Sequence, residues 1–361
     1  MEKEFMKGCE AVAEAAVRAG CRFFAGYPIT PQNQVPEYLA HRLPEVGGVF
    51  IQGESEVASI NMVYGASYGG TRSLISSSSC GMSLMSETIG WAISAEMPIV
   101  LFNFQRGGPG IGDIGPSQQD YFQATKAHAN GGGRMLVYSP ASLQEAVDIV
   151  YESFEIAESY RSPVYILMDG ITGGMMESVE LPEMRPEDYI AEKKAAIKKE
   201  WGLGGKQGRI GRTIMGGDFS GIPLQTLNQK LEKKYLKMEE NETRCELYLT
   251  EDAEWIVTAY GIGARFAKAA VNRLRADGIK AGLVRPISLY PFPFEAYDAL
   301  DYTKVKGVVS AEMSIPPQFI TDVKLAVKER APICIYNTSG GVILDSIEIE
   351  KMVREMAGKE A

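Results

Sequence analysis

The stretch Gln52-Gly53-Glu54-Ser55-Glu56-Val57-Ala58-Ser59-Ile60-Asn61-Met62 places two carboxylates between an apolar run and a helix of small residues. The preceding Gly48–Ile51 is typical of a short buried strand, and the pattern after Glu56 predicts a helix through Ala66. Acids in the first turn complement the helix dipole, which is a sufficient explanation for Glu54. Small and apolar residues follow Glu56, so we expect its carboxyl to be partly desolvated and able to share a proton with a ligand nitrogen.

Strand-like and helix-like segments alternate on both sides of this stretch. Buried-strand patterns occur at Cys21–Ala25, Arg72–Ile75, Pro98–Phe104, Met135–Tyr138 and Val164–Met168, and helical patterns separate most of them. This alternation predicts an α/β protein with a doubly wound parallel sheet. In open sheets of this kind, ligands bind at the carboxyl ends of the strands.

A polar connector divides the chain into two α/β units. Prolines, a lysine-rich run and several glycines dominate residues 181–252, and strand patterns resume near Ala253. We therefore predict a first domain over residues 1–180, a connector over 181–252 and a second domain over 253–361.

The composition argues against several classes of protein. The 361 residues are 45% hydrophobic and 23% charged, with a formal net charge of -9 and no basic tract, which argues against nucleic acid as a partner. No apolar run approaches the roughly 20 residues that span a bilayer, and the charged N-terminus lacks a secretory signal pattern. The five cysteines are scattered without a C-x-x-C pair, which predicts a reducing, cytoplasmic setting and no compact four-cysteine iron–sulfur site.

Three segments that follow predicted strands carry further candidate ligand groups. Tyr27–Pro31 is a rigid loop with the hydroxyl of Thr30 at the edge of the sheet, although Thr30 before a proline also suits the N-cap of a helix over Gln32–Arg42. Ser76–Ser79 supplies hydroxyls and amides, or is only a polar turn. Arg106 opens a glycine-rich loop, and its guanidinium suits bidentate binding of a carboxylate, the alternative being a surface arginine in a mobile loop.

No segment matches a complete diphosphate anchor. Gly217-Asp218 with Asn241 downstream, and Asp169-Gly170, are incomplete matches to a G-D-G…N loop that holds Mg²⁺ and a diphosphate. We therefore expect such an anchor on another chain and predict no metal ligands on this one. His128 lies in a glycine-rich polar loop, from which it would approach a substrate.

Four motifs together resemble the alpha-type subunit of the 2-oxoacid:ferredoxin oxidoreductases. They are Gly26–Pro31 (GYPITP), Ser55-Glu56 with its helix to Ala66, Ser76–Glu87 and Arg106–Pro109 (RGGP). Pro31–Asn33 and Leu43–Gly48 are most similar to the branched-chain members, whose substrate is 3-methyl-2-oxobutanoate (ketoisovalerate). The resemblance covers nearly the whole chain. Cys80 departs from it, because related sequences usually have proline or glycine there.

The resemblance implies a fold and a set of site residues. The first domain would be a pyrimidine-type thiamine diphosphate-binding domain, and the second would be transketolase C-terminal-like. Glu56 would be the catalytic acid that bonds to N1′ of the aminopyrimidine, while Thr30 and Arg106 would bind the 2-oxoacid. The other cofactor-binding residues would be Tyr27, Pro28, Ile29 and Ser79.

The implied reaction is the coenzyme A-dependent oxidative decarboxylation of a 2-oxoacid to acyl-CoA and CO₂. Thiamine diphosphate serves as the electron sink, and ferredoxin is reduced. The implied partners are a beta-type subunit that anchors the diphosphate through Mg²⁺, a gamma-type subunit and a ferredoxin-like small subunit, with the iron–sulfur clusters on partner subunits. Three alternatives stay open: a 2-oxoglutarate-specific alpha subunit, a sulfopyruvate-decarboxylase-like enzyme, and a scaffold subunit that holds its partners without touching the cofactor.

Overall fold

In a computed structural model, the chain forms two α/β units. The structure describes residues 3–206, 208, 210–215 and 223–358, so Gly217-Asp218 lies outside the described residues. The strands are β1 (Lys3–Lys7), β2 (Phe23–Gly26), β3 (Val49–Gln52), β4 (Ser73–Ser77), β5 (Val100–Gln105), β6 (Leu136–Tyr138), β7 (Val164–Asp169), β8 (Met176–Glu180), β9 (Cys245–Tyr248), β10 (Trp255–Thr258), β11 (Ala281–Pro286), β12 (Ser288–Tyr290), β13 (Gly307–Glu312) and β14 (Ile333–Asn337).

Helices connect most of these strands. They are α1 (Gly8–Arg18), α2 (Gln34–Glu45), α3 (Glu56–Tyr68), α4 (Ser79–Ser94), α5 (Tyr121–Thr125), α6 (Leu143–Tyr160), α7 (Gly170–Gly174), α8 (Glu187–Glu200), α9 (Leu224–Glu242), α10 (Gly263–Ala276), α11 (Phe294–Asp298), α12 (Ile320–Val327) and α13 (Ser346–Met356). Within the described ranges, no helix is both long enough and apolar enough to cross a membrane.

The larger sheet has seven strands in the order β12-β6-β7-β5-β4-β2-β3. Strands β2 to β7 are parallel, and β12 runs antiparallel to β6. Successive residues of β5 serve opposite faces: Leu101 packs in the core that includes α3 and α4, whereas Phe102 packs in the core that includes α1 and α6. Because helices cover both faces, the central strands are apolar almost throughout. The predicted doubly wound parallel sheet is confirmed.

The smaller sheet has five strands in the order β14-β13-β10-β11-β9. Four are parallel, and β9 is antiparallel to β11. Helices α10 and α13 cover one face of this sheet through an apolar cluster that includes Val271 and Val353. This unit is the α/β arrangement predicted for the second domain.

Two strands cross the predicted domain limits. Strand β9, within the predicted connector 181–252, pairs with β11 of the smaller sheet. Strand β12, within the predicted domain 253–361, pairs with β6 of the larger sheet. The rest of the connector contributes little core, as expected: Ile197 is the buried residue of α8, and Leu231 and Met238 are those of α9. The limits at 180 and 252 stay a prediction.

Candidate active site

The candidate site lies where strands β2, β3, β4 and β5 end. Because these strands are parallel, the segments that follow them meet at one edge of the sheet. The amide of Gly53 donates to the carbonyl of Gly26 at 3.0 Å, which joins the turn before Glu56 to the loop that begins at Tyr27. The fold therefore brings the distant motifs of the sequence into one cleft.

The loop after β2 is held by a buried glutamine. Gln32 donates through Nε2 to the carbonyl of Tyr27 at 3.3 Å and accepts at Oε1 from Ser76 Oγ at 2.6 Å. The loop leaves Tyr27 and Pro28 exposed and Ile29 half-buried. The roles of these three residues toward the cofactor stay a prediction.

The predicted start of the second helix is wrong. Helix α2 begins at Gln34, so Thr30 is not its N-cap, and the residue in that position is Asn33, which has no side-chain cap hydrogen bond. The hydrogen bonds of buried Gln32 stabilise a non-helical turn instead, since the amide of Gln32 itself donates to the carbonyl of Ile29. This tertiary contact outweighs the local proline signal, and it leaves Thr30 free of a capping role.

Glu56 is the first residue of α3, and only 5% of its surface is exposed. Ser55 caps the helix by accepting from the amide of Ala58 at 3.2 Å, so the N-cap role is filled without Glu56. Ser77 Oγ donates to Glu56 Oε1 at 3.3 Å. Glu54, by contrast, is exposed. The structure thus separates the two carboxylates as predicted, with Glu56 withdrawn from water and Glu54 at the surface.

The close packing of α4 against the Glu56 carboxylate depends on Gly81. A Cβ atom at position 81 would overlap both Glu56 Oε1 and Ser77 Oγ. The absence of a side chain therefore lets the first turn of α4 approach the carboxylate closely. Sequence reasoning missed this glycine because its requirement comes from a residue on another helix.

We expect Gly81→Ala to lower kcat by at least about tenfold, since displacing a reacting group by about 1 Å costs roughly 100-fold. The added methyl group would push Glu56 or Ser77 from the positions described above. The matched control is Gly174→Ala on α7, where an added Cβ meets nothing within 4 Å. That control should keep full activity, and steady-state turnover of the assembled complex measures both variants. Full activity in Gly81→Ala would contradict the proposed packing.

Arg106 lies at the end of β5 and is 7% exposed. Its Nη1 donates to the carbonyl of Thr30 at 3.0 Å, and its Nη2 donates to Cys80 Sγ at 3.2 Å and to the carbonyl of Ile111 at 3.1 Å. Its Nε is buried, with no hydrogen-bond partner among the described residues. A buried donor without a partner is costly, so an acceptor supplied by a ligand would stabilise it. The fold therefore brings Thr30 and Arg106 together as predicted.

Ser79 begins α4 inside a network of buried side chains. Its amide donates to Asn103 Oδ1 at 3.0 Å, and its hydroxyl donates to Asp120 Oδ2 at 2.7 Å. Burial raises the pKa of Asp120, against the opposing effects of Ser79, Asn103 and nearby Arg106. Sequence reasoning missed Asn103 and Asp120. The polar Asn103 inside an apolar strand was the one available signal, because a buried amide needs partners.

His128 lies away from these residues. Its loop packs on Gly90 and Ile93 of α4, and Gly90 is about 16 Å along the helix from Ser79 at 1.5 Å per residue. The expectation that His128 approaches a substrate here is therefore wrong. Burial lowers the pKa of its imidazole, which is consistent with a packed core histidine.

The structure also explains Asp169, the other incomplete diphosphate match. Its carboxylate caps α7 by accepting from the amides of Ile171 at 2.8 Å and Thr172 at 3.0 Å. Burial raises the pKa of Asp169 to about 6. Among the residues that the structure describes, no three His, Cys, Asp or Glu side chains form a cluster that would hold a metal ion.

Two family models match the sequence. Residues 14–215 match the model for pyruvate flavodoxin/ferredoxin oxidoreductase, thiamine diphosphate-binding. Residues 253–349 match the model for pyruvate:ferredoxin oxidoreductase core domain II.

Curated relatives are similar over nearly their full length. The ketoisovalerate oxidoreductase subunit VorB of Methanothermobacter marburgensis is 40% identical over 99% of both chains. The 2-oxoglutarate synthase subunit KorA of Methanocaldococcus jannaschii is 35% identical over 98% of this chain and 100% of its own.

Solved structures show the same fold. The 2-oxoglutarate:ferredoxin oxidoreductase of Magnetococcus marinus, solved with 2-oxoglutarate, coenzyme A and succinyl-CoA bound, matches with a TM-score of 0.87 at 26% identity. The match covers 98% of this chain and 65% of that one, so this chain spans about two thirds of that protein's length. A split-gene transketolase, in an inactive beta4 tetramer, shares the fold alone, with a TM-score of 0.61 at 17% identity over 99% of this chain and 100% of that one.

The fold and the matching family model define a thiamine diphosphate-binding α/β protein. The chain belongs to the pyruvate flavodoxin/ferredoxin oxidoreductase family, the 2-oxoacid:ferredoxin oxidoreductases. The predictions of the family, the fold class and the cofactor are thereby confirmed.

Proposed function

We propose that this chain is the subunit of a branched-chain 2-oxoacid:ferredoxin oxidoreductase that binds the pyrimidine end of thiamine diphosphate. The observation that carries the proposal is the buried carboxylate of Glu56, which faces Gly81 in the cleft that also holds Arg106. The greater identity to the ketoisovalerate enzyme subunit, 40% against 35% for the 2-oxoglutarate enzyme subunit, supports the branched-chain substrate.

The residues of the cleft fit the pyrimidine end of the cofactor. Glu56 offers an acceptor withdrawn from water, which suits a hydrogen bond to the ring nitrogen N1′. Ser77 Oγ donates to one oxygen of this carboxylate, and Gly81 lets the first turn of α4 pack against the same oxygen. Tyr27, Pro28 and Ile29 are exposed or half-buried in the loop after β2 and would contact the cofactor from there, while Ser79 would contact it from the start of α4. When bound, thiamine diphosphate supplies a carbanion equivalent and an electron sink.

In this proposal Glu56 holds a proton at N1′, and Arg106 orients the substrate. The guanidinium of Arg106 would donate from Nη2 to the substrate carboxylate in place of the carbonyl of Ile111, with its unpaired Nε as a second donor. The carbonyl of Thr30 holds the guanidinium in this orientation by accepting from Nη1. Thr30 and Arg106 thus lie close together because they follow β2 and β5, two parallel strands of the larger sheet.

The overall reaction breaks the bond between the carboxylate carbon and the oxo carbon of the 2-oxoacid, and CO₂ leaves. The electron pair of the broken bond passes to two ferredoxins, one electron each, and the oxo carbon forms a thioester with coenzyme A, whose thiol proton is released. The described residues contain no cluster of metal-ligating side chains. We therefore place the Mg²⁺-bound diphosphate end and the iron–sulfur clusters on partner subunits of beta type, gamma type and ferredoxin-like type, working together in the cytoplasm.

The exposed faces of α3 and α4 support a subunit boundary at this cleft. Val57 follows Glu56 directly and is 45% exposed, while Leu84 and Trp91 of α4 are 55% and 54% exposed. Leu84 and Trp91 lie seven residues apart, on one face of α4. Contiguous exposed apolar side chains mark contact surfaces, and an aromatic residue is a frequent anchor. We therefore expect the beta-type subunit to cover these two faces and complete the site.

Substrate profiling of the assembled complex tests the proposal. With coenzyme A and a ferredoxin or viologen acceptor, we expect the highest kcat/KM for 3-methyl-2-oxobutanoate. The kcat/KM for 2-oxoglutarate should be lower by at least about tenfold, since one misplaced group in the substrate pocket costs about 1–3 kcal/mol of transition-state binding. A preference for 2-oxoglutarate would establish the alternative substrate. Decarboxylation without acceptor reduction would instead indicate a sulfopyruvate-decarboxylase-like enzyme.

A further inference from the structure

Asp120 closes a buried ring of hydrogen bonds around the start of α4. It lies just before α5, and its Oδ2 accepts from Ser79 Oγ at 2.7 Å and from Asn103 Nδ2 at 2.8 Å. Asn103 Oδ1 accepts in turn from the amide of Ser79 at 3.0 Å. Three side chains from three segments therefore fix one helix terminus.

The ring extends to the backbone of Arg106. The amide of Arg106 donates to Ser79 Oγ at 3.0 Å, so the hydroxyl links this residue directly to Asp120. Ser79 has a φ of 26°, which is in the left-handed region and unfavourable for a residue with a side chain. Such a conformation persists only where the surroundings hold it in place. The bonds to Asn103 and Asp120 are what hold it.

The neighbours of Asp120 bind the second α/β unit. Gln118 Nε2 donates to the carbonyl of Tyr260 at 2.9 Å, and the Tyr121 hydroxyl donates to the carboxylate of Asp322. All five of these residues are buried. One short segment thus contacts the second unit through the residues on either side of Asp120, and the catalytic cleft through Asp120 itself.

We propose that Asp120 is a positioning residue that fixes the start of α4 and the backbone of Arg106 against the second unit. It does not contact the substrate. Its effect is to hold the guanidinium of Arg106 in one orientation toward the 2-oxoacid carboxylate. The inference rests on the proposed role of Arg106.

The test compares Asp120→Ala with Asp120→Asn in the assembled complex. Alanine removes the acceptor of Asn103 Nδ2 and leaves the Ser79 hydroxyl only the carbonyl of Arg106, at 3.2 Å, to donate to. Asparagine keeps one oxygen in the position of Oδ2. For alanine we expect the KM for 3-methyl-2-oxobutanoate to rise about tenfold, because an unpaired buried group costs about 1–3 kcal/mol. The Kd of the unreactive analogue 2-hydroxy-3-methylbutanoate, measured by calorimetry, should rise by the same factor. The value of kcat should change less, and asparagine should restore both constants to within about threefold of wild type.

The matched control is Asp252→Ala, a surface carboxylate on the second unit that pairs with Arg275. It should leave both constants unchanged. Unchanged affinity in Asp120→Ala, or asparagine as impaired as alanine, would overturn the inference. An unchanged Kd in Arg106→Ala would instead refute the proposed role of Arg106. If Asp120→Ala does not assemble, Asp120→Ser replaces it. The serine side chain is too short to reach both donors, Ser79 Oγ and Asn103 Nδ2, so we expect the same rise in KM and Kd. Wild-type affinity in Asp120→Ser would overturn the inference.

Discussion

Replacing Glu56 with glutamine is expected to lower the kcat for acyl-CoA formation by about 10²–10⁴-fold, the usual contribution of a positioned proton-transfer group. Glutamine has the size of glutamate, and its carbonyl oxygen still accepts from Ser77, so the packing beside Gly81 is kept. What it loses is the ability to hold a proton shared with N1′. Steady-state acyl-CoA formation measures the change, and size-exclusion chromatography checks that the complex assembles.

The matched control for this variant is Glu54→Gln. Glu54 lies two residues earlier in the same turn but is exposed, so its contribution is limited to the favourable charge at the start of α3. It should turn over at the wild-type rate. Wild-type turnover in Glu56→Gln would remove this carboxylate from the mechanism.

Replacing Arg106 with alanine is expected to lower kcat/KM for the 2-oxoacid by about 30-fold or more, mainly through KM. Truncating one partner of a buried, hydrogen-bonded charge pair costs about 2–5 kcal/mol. Since each factor of ten corresponds to about 1.4 kcal/mol, the lower end of this range is about 30-fold. Lysine should rescue only part of the loss, because its single ammonium cannot reproduce the planar fork that bonds Thr30 and a carboxylate together. Initial rates against 2-oxoacid concentration measure the effect.

A surface arginine controls for the loss of charge alone. Arg265 on α10 is 46% exposed in its side chain and pairs with Glu177, so Arg265→Ala should leave KM unchanged. If KM in Arg106→Ala equals the wild-type value, Arg106 only shapes the loop that reaches Ile111.

The local patterns of the sequence predict those parts of the site that depend on local chemistry. A buried strand followed by a carboxylate and a helix of small residues identifies Glu56, because the strand end and the helix start determine its burial together. Arg106 is identified in the same way, as a charged residue at the end of an apolar strand. The identification of Glu56 and that of Arg106 both depend on residues that lie only a few positions away along the chain.

The groups that sequence reasoning missed act over long separations. Ser79 bonds to Asn103 and Asp120, which lie 24 and 41 residues away. The proline after Thr30 also suits a helix cap, the alternative to its predicted substrate-binding role. The side chain of Gln32, bonded to Ser76 at a separation of 44 residues, sets a different turn. No local pattern encodes these partners, because the topology of the sheet creates them.

The most direct test is a structure of the assembled complex with thiamine diphosphate bound. We expect an oxygen of Glu56 within 2.7–3.2 Å of N1′ of the aminopyrimidine, the range of an N–H···O hydrogen bond, and the diphosphate held by a partner subunit across the interface. A pyrimidine ring held entirely by other chains, with Glu56 facing away from it, would contradict the account and identify this chain as a scaffold subunit.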